Sequence, residues 1–332
     1  MRAVEQKKYG GSEQLAMTDM PEPVPGPHDA VVRVRAAGVD RGTWHLMTGR
    51  PYAVRMAFGL RGPKYPVPGR DVAGVVTQVG DQVTAVTVGE EVIGTADGSF
   101  ADLAVVPEQR IGRKPAGLSF AEAAVLPVSG LTALQAVRDA GRVQAGDEVL
   151  VIGASGGVGS YAVQVATAYG ARVTGVASEG KADLVRSLGA ARVIDYATQA
   201  LDDGMRYDVV LDIAGLRPIR ELRRLLTERG TLVILGGEGG DRLLGGTHRQ
   251  LAALALSPFV RHRLTALMSK ESAADLAELE RLVDAGRIRP MLERTFEMHE
   301  AAKAIDHVAS GHARGKVALT LEAITHQPRQ KA

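Results

Sequence analysis

Cysteine is absent from the 332-residue chain. That excludes disulfides, thiolate nucleophiles, iron–sulfur clusters and every zinc site that needs sulfur. Aromatic residues make up only 4%, so a core must be built mostly from Ala, Val, Leu and Ile. No run of about 20 apolar residues occurs, so no membrane partner is expected. The start, Met1-Arg2-Ala3-Val4-Glu5-Gln6, lacks the apolar core of a secretory signal, which makes a cytoplasmic location the expectation. Neither sign of charge dominates. Lys plus Arg is 40 against 38 for Asp plus Glu, so a nucleic-acid partner is not expected.

What remains is a globular composition, 45% hydrophobic and 23% charged. Glycine is abundant at 39 residues, which implies many tight turns and close backbone approaches. The length predicts about two domains. The first 120 residues carry short apolar or alternating runs broken by Gly and Pro, as at 30–36, 72–79 and 91–94. These read as strands of a compact β-rich unit. The prolines at 21, 23, 25 and 27 forbid a central strand there.

The pattern changes near Ser119, a predicted N-cap with Glu122 completing a capping box. From Asp147 strands and helices alternate. Strands are predicted at 148–152, 172–177, 193–195, 208–212 and 231–235, with helices at 158–169 and 181–188. Alternation of this kind implies a doubly wound parallel sheet, so the fold class is α/β. Strands return at 295–298 and 316–321, around a helix at 299–309.

The most specific motif is Gly153-Ala154-Ser155-Gly156-Gly157-Val158-Gly159. It follows a buried strand and opens a helix, the context a dinucleotide-binding loop requires. Its glycines admit a pyrophosphate, and the helix N-terminus offers free N–H groups. The next strand ends in Ala177-Ser178-Glu179-Gly180-Lys181. An acid that would hold a ribose 2′-hydroxyl is not at the strand end. Ser178 can donate to a 2′-phosphate and Lys181 can neutralise it, with Tyr196 on the same side, so NADP(H) is the expected cofactor. Ser155, Gly156, Gly157 and Val158 should contact the dinucleotide. So should Ala214 and Gly215 after the fourth strand and Gly236, Gly237 and Glu238 after the fifth.

Several further segments carry a resemblance. They are Ala36-Ala37-Gly38-Val39-Asp40, Pro68-Gly69-Arg70-Asp71-Val72-Ala73-Gly74, Val88-Gly89-Glu90-Glu91-Val92-Ile93-Gly94, Gly130-Leu131-Thr132-Ala133 and Gly315-Lys316-Val317. In this order they resemble the medium-chain dehydrogenase/reductase superfamily, in its zinc-independent quinone oxidoreductase-like branch. The resemblance implies a GroES-like catalytic domain from both chain ends, residues 1–124 and 293–332. It also implies a central Rossmann domain, residues 125–292, with the substrate cleft between them. Thr132 and Lys316 would then approach the nicotinamide and the phosphates.

Zinc-dependent relatives have Cys where Asp40 stands and His where Arg70 stands, and they carry a four-Cys lobe that is missing here. No metal is therefore expected. Asp40 and Arg70 are expected to form a buried ion pair in place of the metal. Without a Lewis acid, reduction of a quinone or of an activated C=C bond is favoured over reduction of a simple ketone. His45 aligns with a Tyr of quinone oxidoreductase relatives and is the expected proton donor, with Tyr52 as a second candidate. Thr43 stands where many relatives have Asp. The expected partner is a small-molecule quinone or enone, and the expected assembly is a homodimer joined along 263–268. A metal-free alcohol dehydrogenase and a non-catalytic NADPH-binding sensor are the alternatives.

Overall fold

The computed structural model describes residues 1–236, 244–311 and 313–321. Gly237 and Glu238 lie outside them.

Each run that reads as a doubly covered strand becomes one. Glu148–Ile152 is buried from its second residue onward and stands in the middle of a six-stranded parallel sheet. Its neighbours are Arg172–Ala177 on one side and Tyr207–Asp212 on the other. Arg192–Asp195 continues the sheet beyond the first, and Leu226–Ile234 and then Arg263–Ala266 continue it beyond the second. In chain order this is 3-2-1-4-5-6, so the strand order reverses between the first strand and the fourth. Ligands bind outside the carboxyl ends of the strands at such a reversal.

The second sheet draws on both chain ends. Its path runs Leu292–Glu297, Lys316–Thr320, Asp29–Val39, Asp71–Val79, Glu91–Thr95 and Ile111–Arg113, with Leu103–Pro107 paired to Asp29–Val39. An antiparallel hairpin, Arg2–Gln6 with Leu15–Asp19, forms its own two-stranded sheet and is bridged at Ala3 to Ala101. The stretch holding prolines 21–27 forms no strand.

The local signals act where they stand. Ser119 caps the helix Phe120–Ala123 through a reciprocal capping box with Glu122. Helix Arg41–Thr48, which buries Thr43 and Met47 on one face, is held at both ends. Asp40 accepts from the Thr43 amide at 2.7 Å at its start, and Gly49 adopts φ +58° at its end. The two domains share one apolar cluster, in which Tyr161 is fully buried and its hydroxyl donates to the Val125 carbonyl at 2.9 Å.

Candidate active site

The glycine-rich loop leaves Ile152 and turns at Gly153, whose φ of +88° suits a residue without a side chain. Helix Gly157–Ala168 begins at Gly156 with no side-chain cap, so its first amides are open to a ligand. The helix runs close to the loop. A Cβ on Gly159 would stand 2.0 Å from the Gly153 carbonyl oxygen. A ligand phosphate would meet backbone N–H groups here with no side chain intervening, which fits the pyrophosphate of a dinucleotide.

A cleft of about 770 Å³ opens in front of this helix. That lies within the range of about 300–1,000 Å³ for small-molecule sites. Ser155, Gly156, Gly157 and Val158 line it, as do Ser178, Lys181 and Tyr196 beyond the second strand. Thr132, Ala214, Gly236 and Lys316 complete the expected residues found on its wall. Gly215 is not among them. Its amide donates to the buried Asp212 carboxylate at 3.1 Å behind the loop.

Lys181 donates to the Ala313 carbonyl at 2.8 Å, which ties this end of the cleft to the turn before the last strand. Burial holds the Lys181 ammonium below the usual lysine range, and the nearby Arg314 charge acts the same way, against the opposing pull of Glu293. Residues of that turn, Ser310, Gly311, Ala313 and Gly315, form part of the cleft wall. No motif in that turn before Gly315 points to this role.

At the floor of the cleft the two domains meet around buried charges. The Lys316 ammonium is 2% exposed and donates to Ser129 Oγ at 2.9 Å and to Asp71 Oδ2 at 3.5 Å. Asp40 Oδ2 lies 3.9 Å from it. Asp71 also accepts from the Val128 amide at 2.6 Å. Burial pushes the Asp71 carboxyl up to about 6, with the Asp40 charge adding to the rise and Lys316 opposing it. The sequence does not mark Asp71 and Ser129 as site residues. Asp71 stands inside the segment Pro68–Gly74 and Ser129 just before Gly130, but nothing local shows that they face a lysine on the last strand.

The expected Asp40–Arg70 ion pair does not form. Asp40 Oδ1 is occupied by the helix it caps, accepting from the amide and hydroxyl of Thr43. Arg70 instead pairs with Glu271 of the other domain, and Arg110 Nε joins the same carboxylate at 2.9 Å. A cap must sit at the helix start, and that geometry turns Asp40 toward Lys316. Arg70 lines a separate small cavity together with Thr43 and Met47.

His45 and Tyr52 are likewise off the cleft wall. The His45 Nδ1 lies 3.0 Å from the Arg50 carbonyl and its ring meets the Trp44 edge. The Tyr52 ring stacks under the Arg55 guanidinium at 4.6 Å. Neither is placed as a proton donor to a ligand in the cleft. The polar groups that do face it near the domain junction are those of Asp40, Ser129, Thr132 and Lys316.

A six-stranded dinucleotide sheet joined to a β-rich unit from both chain ends, with a cleft between them, defines a two-domain nicotinamide oxidoreductase fold. Comparison with known proteins gives the family. The pattern of the alcohol dehydrogenase GroES-like domain matches residues 26–133, and that of the zinc-binding dehydrogenases matches residues 188–319. A mitochondrial NAD(P)H oxidoreductase of Mus musculus is 34% identical over 95% of this chain and 87% of its own length. A chloroplast envelope quinone oxidoreductase homolog of Arabidopsis thaliana is 31% identical over 96% of this chain and 97% of its own. Among solved structures, the quinone oxidoreductase of Coxiella burnetii superposes with a TM-score of 0.81 at 28% identity, covering 96% of this chain and 99% of that one. A mycobacterial relative solved with NADPH gives 0.80 at 26% identity, covering 96% and 99%. The chain belongs to the medium-chain dehydrogenase/reductase superfamily, in its quinone oxidoreductase-like branch.

Proposed function

We propose that this chain is an NADPH-dependent reductase that transfers hydride to a quinone, or to the C=C bond of an α,β-unsaturated carbonyl, without a metal. One observation carries the reading. The glycine-loop cleft ends at Ser178, Lys181 and Tyr196, with no carboxylate at the end of the second strand. A 2′-phosphate finds a hydroxyl and an ammonium there, and a bare 2′-hydroxyl finds no acidic acceptor. The NADPH-bound mycobacterial relative and the quinone oxidoreductases among the relatives support it.

The residue types at the domain junction do not fit zinc. No cysteine exists, and a guanidinium stands where a ligand would be needed. The bound coenzyme supplies hydride. The chain's own part is to hold the pyrophosphate on the amides of helix Gly157–Ala168 and the 2′-phosphate on Ser178 and Lys181. Hydrogen-bond donors at the junction, Ser129, Thr132 and Lys316, then meet the oxygen on which charge develops. We assign residues 1–124 and 293–332 to the catalytic unit and 125–292 to the coenzyme unit, in a cytosolic homodimer.

Calorimetry with NADPH and NADH, followed by stopped-flow oxidation of NADPH with quinones, enones and saturated ketones, tests the reading. Preference for NADPH and turnover of quinones or enones but not ketones is expected. Equal affinity for the two coenzymes, or turnover confined to ketones, would overturn it.

A further inference from the structure

Residues 41–70 carry six Arg and Lys side chains and no Asp or Glu, so the other 302 residues sum to −4. Three of the six are turned inward. Arg41 donates to the Ala309 carbonyl at 2.8 Å, Arg55 lies between the Tyr9 and Tyr52 rings, and Arg70 pairs with Glu271. Arg50, Arg61 and Lys64 are exposed and make no ion pair among the described residues. Beside them stand Met56 and Leu60, which are 80% and 72% exposed, and the partly exposed rings of Tyr52 and Tyr65.

The segment is braced and does not dangle. The Tyr9 hydroxyl reaches the Phe58 and Gly59 carbonyls at 3.0 and 2.6 Å, and the Lys64 amide donates to the Phe58 carbonyl at 2.7 Å. An apolar cavity of about 50 Å³ lies under it, walled by Leu46, Met47, Phe58 and Val67, with Lys64 and Tyr65 at its edge.

We propose that residues 50–65 form a docking surface for an anionic lipid bilayer. Large apolar tips, tyrosines at their margin and unpaired cations around them are the profile of a protein that lies on a membrane interface. Charge settles the sign of the partner, because no acid of the segment offsets the cations. The apolar tips distinguish a bilayer from a soluble acidic partner. Among the described residues no helix is long and apolar enough to cross a membrane. Docking of this kind would bring the molecule to the phase that dissolves a quinone or enone carrying an alkyl tail. That last link rests on the reductase reading above, whereas the surface itself does not.

Sedimentation of the full chain with vesicles tests it without any turnover. Binding is expected to vesicles containing about one-third phosphatidylglycerol in phosphatidylcholine, with little to phosphatidylcholine alone. It should weaken by about tenfold or more near 0.5 M salt. Met56→Ser with Leu60→Ser, and separately Arg61→Glu with Lys64→Glu, should each cost about tenfold or more in affinity while the thermal midpoint holds. Because the chain has no cysteine, Leu60→Cys labelled with a polarity-sensitive dye gives a second readout, a blue shift on binding. No binding to anionic vesicles, equal binding to neutral ones, or an unshifted dye would overturn the proposal. So would loss in the charge pair alone with the apolar pair unaffected, which fits a soluble polyanion. A chain that binds vesicles yet fails to oxidise NADPH would sink the reductase reading and leave this surface standing.

Discussion

Arg70 finds its counter-ion on the other domain, in Glu271, and Asp40 is spent on a helix start. Double-mutant cycles should separate the two arrangements. Arg70→Ala with Glu271→Ala is expected to show coupling of about 1 kcal/mol in unfolding, because both side chains are about one-quarter exposed or less. Arg70→Ala with Asp40→Ala should be additive within about 0.5 kcal/mol. Asp71 sets a pH dependence. Its carboxyl is raised to about 6 in the fold from an ordinary 3.8. Between these values the folded protein keeps a proton that the unfolded chain has lost. Its contribution is therefore full below about pH 4 and is lost as pH rises through about 6, a change of order 2–3 kcal/mol. Urea unfolding at several pH values should show this fall in the wild type and not in Asp71→Asn. Lys181→Ala should cost NADPH about tenfold in calorimetric affinity and leave NADH nearly unchanged, since a charge-assisted bond is worth about 1.5–3 kcal/mol.

The elements were legible where their cause is local. Glu148–Ile152 and Arg172–Ala177 fall where apolar runs place them, and the helix after the glycine loop begins within a residue of its expected start. The capping box at Ser119 is a three-residue event and needs nothing distant. Helix Arg41–Thr48 was not legible. Its eight residues are only about two turns, and Asp40 and Gly49 close its ends. The hairpin Arg2–Gln6 with Leu15–Asp19 depends on a pairing across a loop, and its second strand is partly exposed. In the coenzyme loop, Gly159→Ala should push the helix off the strand, because the new methyl would overlap the Gly153 carbonyl. Loss of coenzyme binding in calorimetry, with destabilisation of about 2 kcal/mol or more, is the expected result.

In the whole molecule, Arg263–Ala266 is the outer strand of the parallel sheet, and among the described residues no strand pairs with its other side. An uncovered edge invites a second copy, which is the basis of the proposed homodimer. Ala266→Pro, whose amide faces away from Leu226–Ile234, should then sediment as a folded monomer where the wild type sediments as a dimer. The residues expected at the coenzyme and those found on the cleft wall agree closely, because the loop, the strand ends and Lys181 each sit next to a recognisable turn. His45 and Tyr52, the expected proton donors, stand off the cleft wall. Position in the chain does not say which way a helix or a turn faces.

From the order of its residues alone, this chain determined two architectures, a glycine-lined phosphate loop, a strand end without an acid, and the absence of sulfur ligands. Each depends on neighbours within about one turn or one strand, so the amino acids themselves carry it. Only the tertiary structure decided which buried charges meet. Lys316 faces Asp71 and Ser129, Arg70 faces Glu271, and the turn before the last strand walls the cleft. Those contacts join strands and domains far apart in the chain, and a buried charge takes whichever partner the packing brings within reach.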